Sequence, residues 1–266
     1  MGRGVVYAVT SGKGGVGKTT TTANISTGLA VLGKKVAVID ADIGLRNLDV
    51  VMGLENRVVY DIVDVVEGRA KLKQALIKDK KLKDNLQLLP AAQTRDKDSV
   101  SPDDMIKLTN ELAESFDYVF IDSPAGIEQG FKNAVAGADE IIIVTNPEVS
   151  AVRDADRIIG LLEAAQKNAP KLIINRIRID MVKRGDMLSI DDVLELLGIE
   201  LLGIVPDDEN IVISTNKGEP IVKDEKAKSG LAYQNIVKRI LGETVPLLSL
   251  EDKKGILNKI SKIFKK

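Results

Sequence analysis

The sequence predicts an α/β fold: a doubly wound, mainly parallel sheet flanked by helices. Three observations point to it. Short apolar runs recur along the chain, longer segments with helical periodicity separate them, and the first run enters its helix through a glycine-dense stretch at 12–17. Strands covered by helices on both faces read as unbroken apolar runs, and strict alternation of run and helix implies right-handed crossovers between parallel neighbours.

In chain order, the runs at 5–9, 36–39, 86–89, 118–121, 141–144, 172–174 and 201–205 read as strands. Helical patterns lie near 18–32, 58–66, 101–115, 150–167, 189–197 and 227–241. Ligands of such a sheet bind beyond the carboxyl ends of its strands. No internal repeat or low-complexity linker interrupts the pattern. The simplest partition is one domain over residues 1–245, a hinge over 246–252 and a basic tail over 253–266.

The 266 residues are 44% hydrophobic, enough for one sizeable core. Cysteine and histidine are both absent. Disulfides, thiol catalysis, cysteine-held iron–sulfur clusters and histidine-ligated zinc are thereby excluded. Proton handling falls to Asp, Glu or Lys. The opening apolar run leads straight into the glycine stretch rather than a cleavage site, and no apolar run reaches the ~18 residues that span a bilayer. A cytoplasmic protein is expected. Net charge is −1, yet residues 253–266 hold six lysines and no acid, so the body is acidic and the tail basic. That split points to a tail that meets a polyanion.

The strongest local signal is Gly12-Lys13-Gly14-Gly15-Val16-Gly17-Lys18-Thr19, followed by Thr20. It matches the G-x-x-x-x-G-K-[ST] phosphate loop and lies in the strand-to-helix context that loop requires. Glycines let successive N–H groups curl round phosphate oxygens, and the helix that follows adds its positive dipole end. Lys18 is expected on the β- and γ-phosphates, and Thr19 on Mg²⁺. Mg-ATP binding and hydrolysis follow as the expected activity. Spacing alone leaves Lys13 either a solvated surface charge or a cation that neutralises phosphate charge, including on a neighbouring subunit.

Asp40 and Asp42 follow the second strand, and Asp122 follows the run 118–121. Carboxylates so placed hold Mg²⁺, commonly through its waters. Alternate residues of extended chain face opposite ways, so Asp40 is assigned to the metal's water shell with Asp122, and Asp42 to the attacking water. A helix cap or turn is the competing reading for any one of them. Ser123-Pro124-Ala125-Gly126 directly after Asp122 is placed to act as a switch segment that senses the γ-phosphate.

Together these motifs resemble the deviant Walker-A ATPases, the ParA–MinD family of P-loop ATPases. Lys13-Gly14-Gly15-Val16-Gly17-Lys18-Thr19, with its extra lysine, is the diagnostic piece. The strings 40–49, 94–98, 122–128, 146–150, 152–156 and 184–189 narrow the likeness to the branch that selects the cell-division site. The likeness spans nearly the whole chain. It implies that Lys13 crosses a homodimer interface, formed on ATP binding, to the partner's nucleotide. It also implies that Asp42 is the switch aspartate that positions water. Asp154 corresponds to a family aspartate at the partner-protein surface, although a helix N-terminal acid is its plainer reading. Asn175, Arg176, Pro206 and Asp207 fall where the family holds adenine. A MinC-like division inhibitor and a MinE-like ATPase activator are the implied partners.

In the tail, Ile256, Leu257, Ile260, Ile263 and Phe264 share an arc of about 120° on a helical wheel. Lys259 and Lys262 lie outside that arc, as do Lys254, Lys265 and Lys266. A basic helix with one apolar stripe is the pattern of an interfacial membrane anchor. Docking of the stripe on the domain's own core is one alternative, and a nucleic-acid tail is another. Phosphate binding would explain the lysines but not the stripe. The family likeness places a C-terminal membrane-targeting helix here. The leading expectation is therefore an ATPase that binds anionic lipid at the cytoplasmic face of the inner membrane as a dimer, without nucleic acid, and leaves on hydrolysis. A ParA-like DNA-segregation ATPase and a small-molecule kinase using the same loop are the alternatives.

Overall fold

The computed structural model describes residues 2–248, so the expected membrane residues Ile256, Leu257, Lys259, Ile260, Lys262, Ile263 and Phe264 lie outside the described residues. The chain runs β1 (Val5–Thr10), α1 (Lys18–Val31), β2 (Val36–Asp40), α2 (Leu48–Val51), α3 (Ile62–Val66), α4 (Leu72–Ala75), β3 (Ile77–Asp79), β4 (Lys83–Leu89), α5 (Pro102–Ala113) and β5 (Tyr118–Asp122). It continues through α6 (Gln129–Ala136), β6 (Glu140–Thr145), α7 (Val149–Ala164), β7 (Lys171–Ile177), α8 (Ile179–Arg184), α9 (Ile190–Leu197), β8 (Glu200–Pro206), α10 (Glu209–Asn216) and α11 (Lys228–Ile240). The sheet has eight strands in the order β3-β4-β2-β5-β1-β6-β7-β8. Every neighbouring pair is parallel except β3 with β4.

Each expected strand is present, because successive side chains in these runs feed opposite cores. On β5, Val119 and Ile121 join one cluster with α5, α6, α7 and α9, while Phe120 joins the other with α1 and α11. Such strands cannot alternate apolar with polar and still bury both faces.

The differences have local causes. The antiparallel edge strand β3 is only three residues long and carries Lys78 and Asp79, which suits an edge but leaves no apolar run to read. The helix expected near 58–66 starts at Ile62. Asp61 accepts N–H bonds from Val63 and Asp64 while Asp64 accepts from the Asp61 N–H, a capping box that sets the start. The first part of the expected hinge is held: the Arg239 guanidinium donates to the carbonyls of Val245 and Pro246.

Candidate active site

β1 leads into α1 through residues 11–17 at the carboxyl edge of the sheet. Gly15 and Gly17 have φ of 77° and 98°, the left-handed region in which a side chain would clash with its own backbone. Space is short as well. A Cβ at Gly17 would lie 2.3 Å from Asn175 Nδ2, and one at Gly12 would lie 2.4 Å from the carbonyl oxygen of Asp154. Gly12→Ala is therefore expected to cost about 1–3 kcal/mol, since backbone rather than a flexible side chain blocks the methyl. Urea unfolding measures the loss, and unchanged stability would contradict the packing.

Lys18, 7% exposed, donates to Ser11 Oγ at 3.0 Å, and Ser11 Oγ donates to the Lys13 carbonyl at 2.8 Å. Burial pulls the Lys18 ammonium below its usual range, while Asp122 and Asp42 oppose that shift. Ser11 thus positions the loop's central cation. The single Thr22 O–H is shared between the Lys18 carbonyl at 3.0 Å and Asp122 Oδ1 at 3.2 Å, one turn inside α1. Thr19 and Thr20 open that helix; the Thr19 hydroxyl also bonds Asp122, and the Thr20 carbonyl accepts from Asn24.

Asp40 and Asp122 are each 1% exposed and end adjacent strands in register. Asp40 accepts three backbone N–H bonds, from Asp42 at 3.0 Å, Asn47 at 3.2 Å and Leu48 at 3.1 Å. It therefore holds the loop between β2 and α2, a role spacing could not separate from metal binding. Burial, with each acid near other carboxylates, pushes both acids up, Asp40 to about 8 and Asp122 to about 6. For an acid raised on folding, the folded state binds more protons than the unfolded state. Its contribution to stability is full below the unfolded value of 3.8 and is lost as pH rises to about 8. Nucleotide-free protein is thus expected to melt lower at about pH 8 than at about pH 5, with a weaker dependence in Asp122→Asn. Melting curves of both proteins check this; parallel pH dependence would contradict it.

This pair, with Thr19 and Thr22 beside it and Lys18 behind it, fits a divalent cation bound alongside phosphate. The buried carboxylates repel one another, and a cation relieves that repulsion. Among the described residues no three Asp, Glu, His or Cys side chains converge as a metal cage.

Asp42 is half-buried. Burial raises its pKa, and Lys18 and Lys97 pull it back. It lines a 340 Å³ cavity together with Lys97, Pro124, Ala125 and Glu128. The switch segment is tied to the same place: Ser123 N–H donates to Val9, Gly126 N–H to Ser11, and Ala41 N–H to Asp122. Gly126, at φ 92°, allows that turn.

Lys13 is exposed and turns away from its own loop. Its ammonium donates to Ser150 Oγ at 3.2 Å and lies 3.6 Å from Glu148 Oε2 at the start of α7. An exposed ion pair contributes at most about 1 kcal/mol, so this contact is easily exchanged. Asp154, one turn along α7, packs its backbone on Gly12 and lines a 290 Å³ hollow with Gly126, Glu128 and Arg157.

Of the four residues expected near adenine, Asn175 is buried at the loop, where Nδ2 donates to the Val16 carbonyl at 2.7 Å. Arg176, at φ 57°, and Asp207 together line a neighbouring 700 Å³ cavity with Pro147 and Arg178. Pro206 pairs with Ile177, whose carbonyl accepts the Asp207 N–H. Sequence reasoning assigns no role to Ser11, Thr22, Lys97, Glu148 or Ser150, although Lys97 lies in the string 94–98 and Glu148 and Ser150 in 146–150. Ser11 and Thr22 flank the loop and were findable there; the others meet the site only through the fold.

The family model of the CobQ/CobB/MinD/ParA nucleotide binding domain matches residues 7–221. The chain is 59% identical to the septum site-determining protein MinD of Bacillus subtilis (strain 168), over 99% of this chain and 98% of that one. It is 51% identical to the MinD of Escherichia coli (strain K12), over 96% and 98%. Among solved structures, the MinC:MinD cell division protein complex of Aquifex aeolicus aligns with a TM-score of 0.86 at 53% identity, covering 92% of this chain and 98% of that one. MinD of Pyrococcus horikoshii OT3 complexed with Mg-ADP aligns with a TM-score of 0.81 at 29% identity, covering 89% and 95%. The chain belongs to the septum site-determining MinD family of P-loop ATPases.

Proposed function

We propose that this chain is a Mg-dependent ATPase that places the cell-division site by dimerising on ATP, binding the membrane and recruiting a division inhibitor. The observation that carries the chemistry is Lys18, buried behind Ser11 and facing Asp122 and Asp42 at the mouth of a glycine loop.

The loop N–H groups of residues 12–19 and the α1 N-terminus take the phosphates, and Lys18 meets their charge. Thr19 and Asp122 would hold Mg²⁺, with Asp40 beside them, where it fixes the β2–α2 loop. When bound, the ion neutralises phosphate charge. Asp42 orients the attacking water, with Lys18 and Lys97 offsetting part of the burial that raises its carboxyl. Residues 123–126 follow the loss of the γ-phosphate through the Gly126–Ser11 bond. Lys13 leaves Glu148 and Ser150 to meet the nucleotide of a second copy, supplying a cation in trans. Asn175, Arg176, Pro206 and Asp207 form the base side of the site.

Residues 1–245 act as the ATPase domain, 246–252 as the link and 253–266 as an amphipathic membrane-targeting helix. Ile256, Leu257, Ile260, Ile263 and Phe264 enter the bilayer surface, with Lys259 and Lys262 on anionic headgroups. One such helix binds weakly, since a segment of this length is marginal in water, whereas two on an ATP-held dimer bind together. The protein then divides its time between cytoplasm and the inner face of the membrane. No helix among the described residues is long and apolar enough to cross it. A MinC-like inhibitor binds at the surface around Asp154, and a MinE-like activator stimulates hydrolysis; the solved MinC:MinD complex supports a MinC-like partner.

Sedimentation with anionic vesicles tests this reading, with the intact chain and a truncation at Glu251, each with ATP and with ADP. Pelleting of the intact chain with ATP alone is expected. Equal pelleting in both nucleotides would overturn the cycle, and retention on DNA without vesicle binding would favour a ParA-like role.

A further inference from the structure

The nucleotide site leaves one corner of the molecule without a task. It is the amino-edge end of the α1–α11 layer, where both helices finish. The two helices are close there, since a Cβ at Gly28 would lie 2.7 Å from Val237. α1 ends on Val31 and Leu32, which are 53% and 54% exposed although nearly all the rest of that helix is covered. Lys34 follows at once, and exposed Lys238 stands in the last turn of α11.

More cations gather on the same side. The β3–β4 turn carries exposed Lys80 and tucks Leu82 against the core beneath α1. Lys81 pairs with Glu219 at 2.7 Å, and Lys217 and Lys223 add their charge to that carboxylate. Acids stand there too: Asp79 accepts the N–H groups of Lys81 and Leu82, Asp224 accepts that of Lys226, and exposed Glu225 and Glu243 lie close in sequence to Lys223 and Lys238. Among the described residues Lys34, Lys80 and Lys238 make no ion pair, and Lys223 meets Glu219 only through its charge, beside the Lys81 pair. The last described residues lie at this corner. Arg239 holds Val245 and Pro246 while a third bond goes to Leu202, and Leu248 packs on the same core.

We propose that this corner is a second membrane contact, in which Val31 and Leu32 enter the headgroup region of an anionic bilayer ringed by Lys34, Lys80, Lys223 and Lys238. The proposal rests on the membrane reading above and adds a surface of the folded domain to it. A bilayer surface takes apolar side chains and cations together, whereas nucleic-acid phosphates leave the aliphatic pair without a partner. Arg239 holds Val245 and Pro246 beside the patch, so a tail bound to the membrane raises the effective concentration of the patch there, and the patch that of the tail.

The test uses the full chain with ATP and phosphatidylglycerol-containing vesicles. The triple variant Lys34→Glu, Lys223→Glu and Lys238→Glu lies outside the nucleotide site and is expected to keep its solution ATPase rate. It should lose vesicle retention by about tenfold. Because the protein has no tryptophan, Leu32→Trp gives an independent readout: its emission should shift to the blue with ATP and vesicles together. Wild-type retention in the triple variant, or unshifted Leu32→Trp emission on bound protein, would overturn the proposal and leave the tail reading intact. Failure of the wild type to bind vesicles would remove both. Loss of duplex DNA retention with vesicle binding unchanged would assign the patch to nucleic acid and overturn it.

Discussion

Lys18→Ala is expected to lower ATPase activity by about 10³-fold and to abolish tight nucleotide binding. The lysine is 7% exposed, pinned by Ser11, and set between the loop and two carboxylates. Its removal deletes the cation nearest the phosphates where solvent screening is weak, and it leaves Asp122 and Asp42 uncompensated. Hydrolysis assays and titration with a fluorescent nucleotide measure the two effects. Activity within tenfold of wild type would show that the loop does not work through this side chain. Ser11→Ala should give a milder defect of the same kind, because it loosens the lysine without deleting it.

Asp42→Ala is expected to separate binding from chemistry. ATP affinity should be kept, while hydrolysis falls by about 10²–10⁴-fold. Asp42 is half-buried beside the switch segment and has neither the three backbone bonds of Asp40 nor the threonine bonds of Asp122. It is the acid with a free carboxylate. The ATP-bound form should then persist, and vesicle retention should rise with it. A variant that loses ATP binding together with hydrolysis would place Asp42 in the metal site instead.

Much of this was legible in the residues. Doubly covered strands write continuous apolar runs such as Ile141-Ile142-Ile143-Val144, and the loop 12–19 needs glycine for geometric reasons that survive any context. The short elements were not legible. β3 is a charged edge, and α10 has no buried residue to mark a face. Nor could spacing separate Asp40 from Asp42, because the difference lies in the N–H groups of Asn47 and Leu48, which return to Asp40 through the β2–α2 loop. Lys13 looks the same in sequence whether it rests on Glu148 and Ser150 or reaches a second molecule. Those partners lie more than a hundred residues along the chain and are brought to it by the β1–β6 pairing and the packing of α7 on Gly12.

The central claim is that bound triphosphate joins two copies through Lys13. Light scattering behind gel filtration, with a non-hydrolysable ATP analogue and Mg²⁺, tests it most directly. The expected mass is twice the 28.7 kDa of one chain for the wild type, and a single chain's mass for Lys13→Ala and for the wild type with ADP. A wild type that stays at 28.7 kDa with the analogue bound would contradict it.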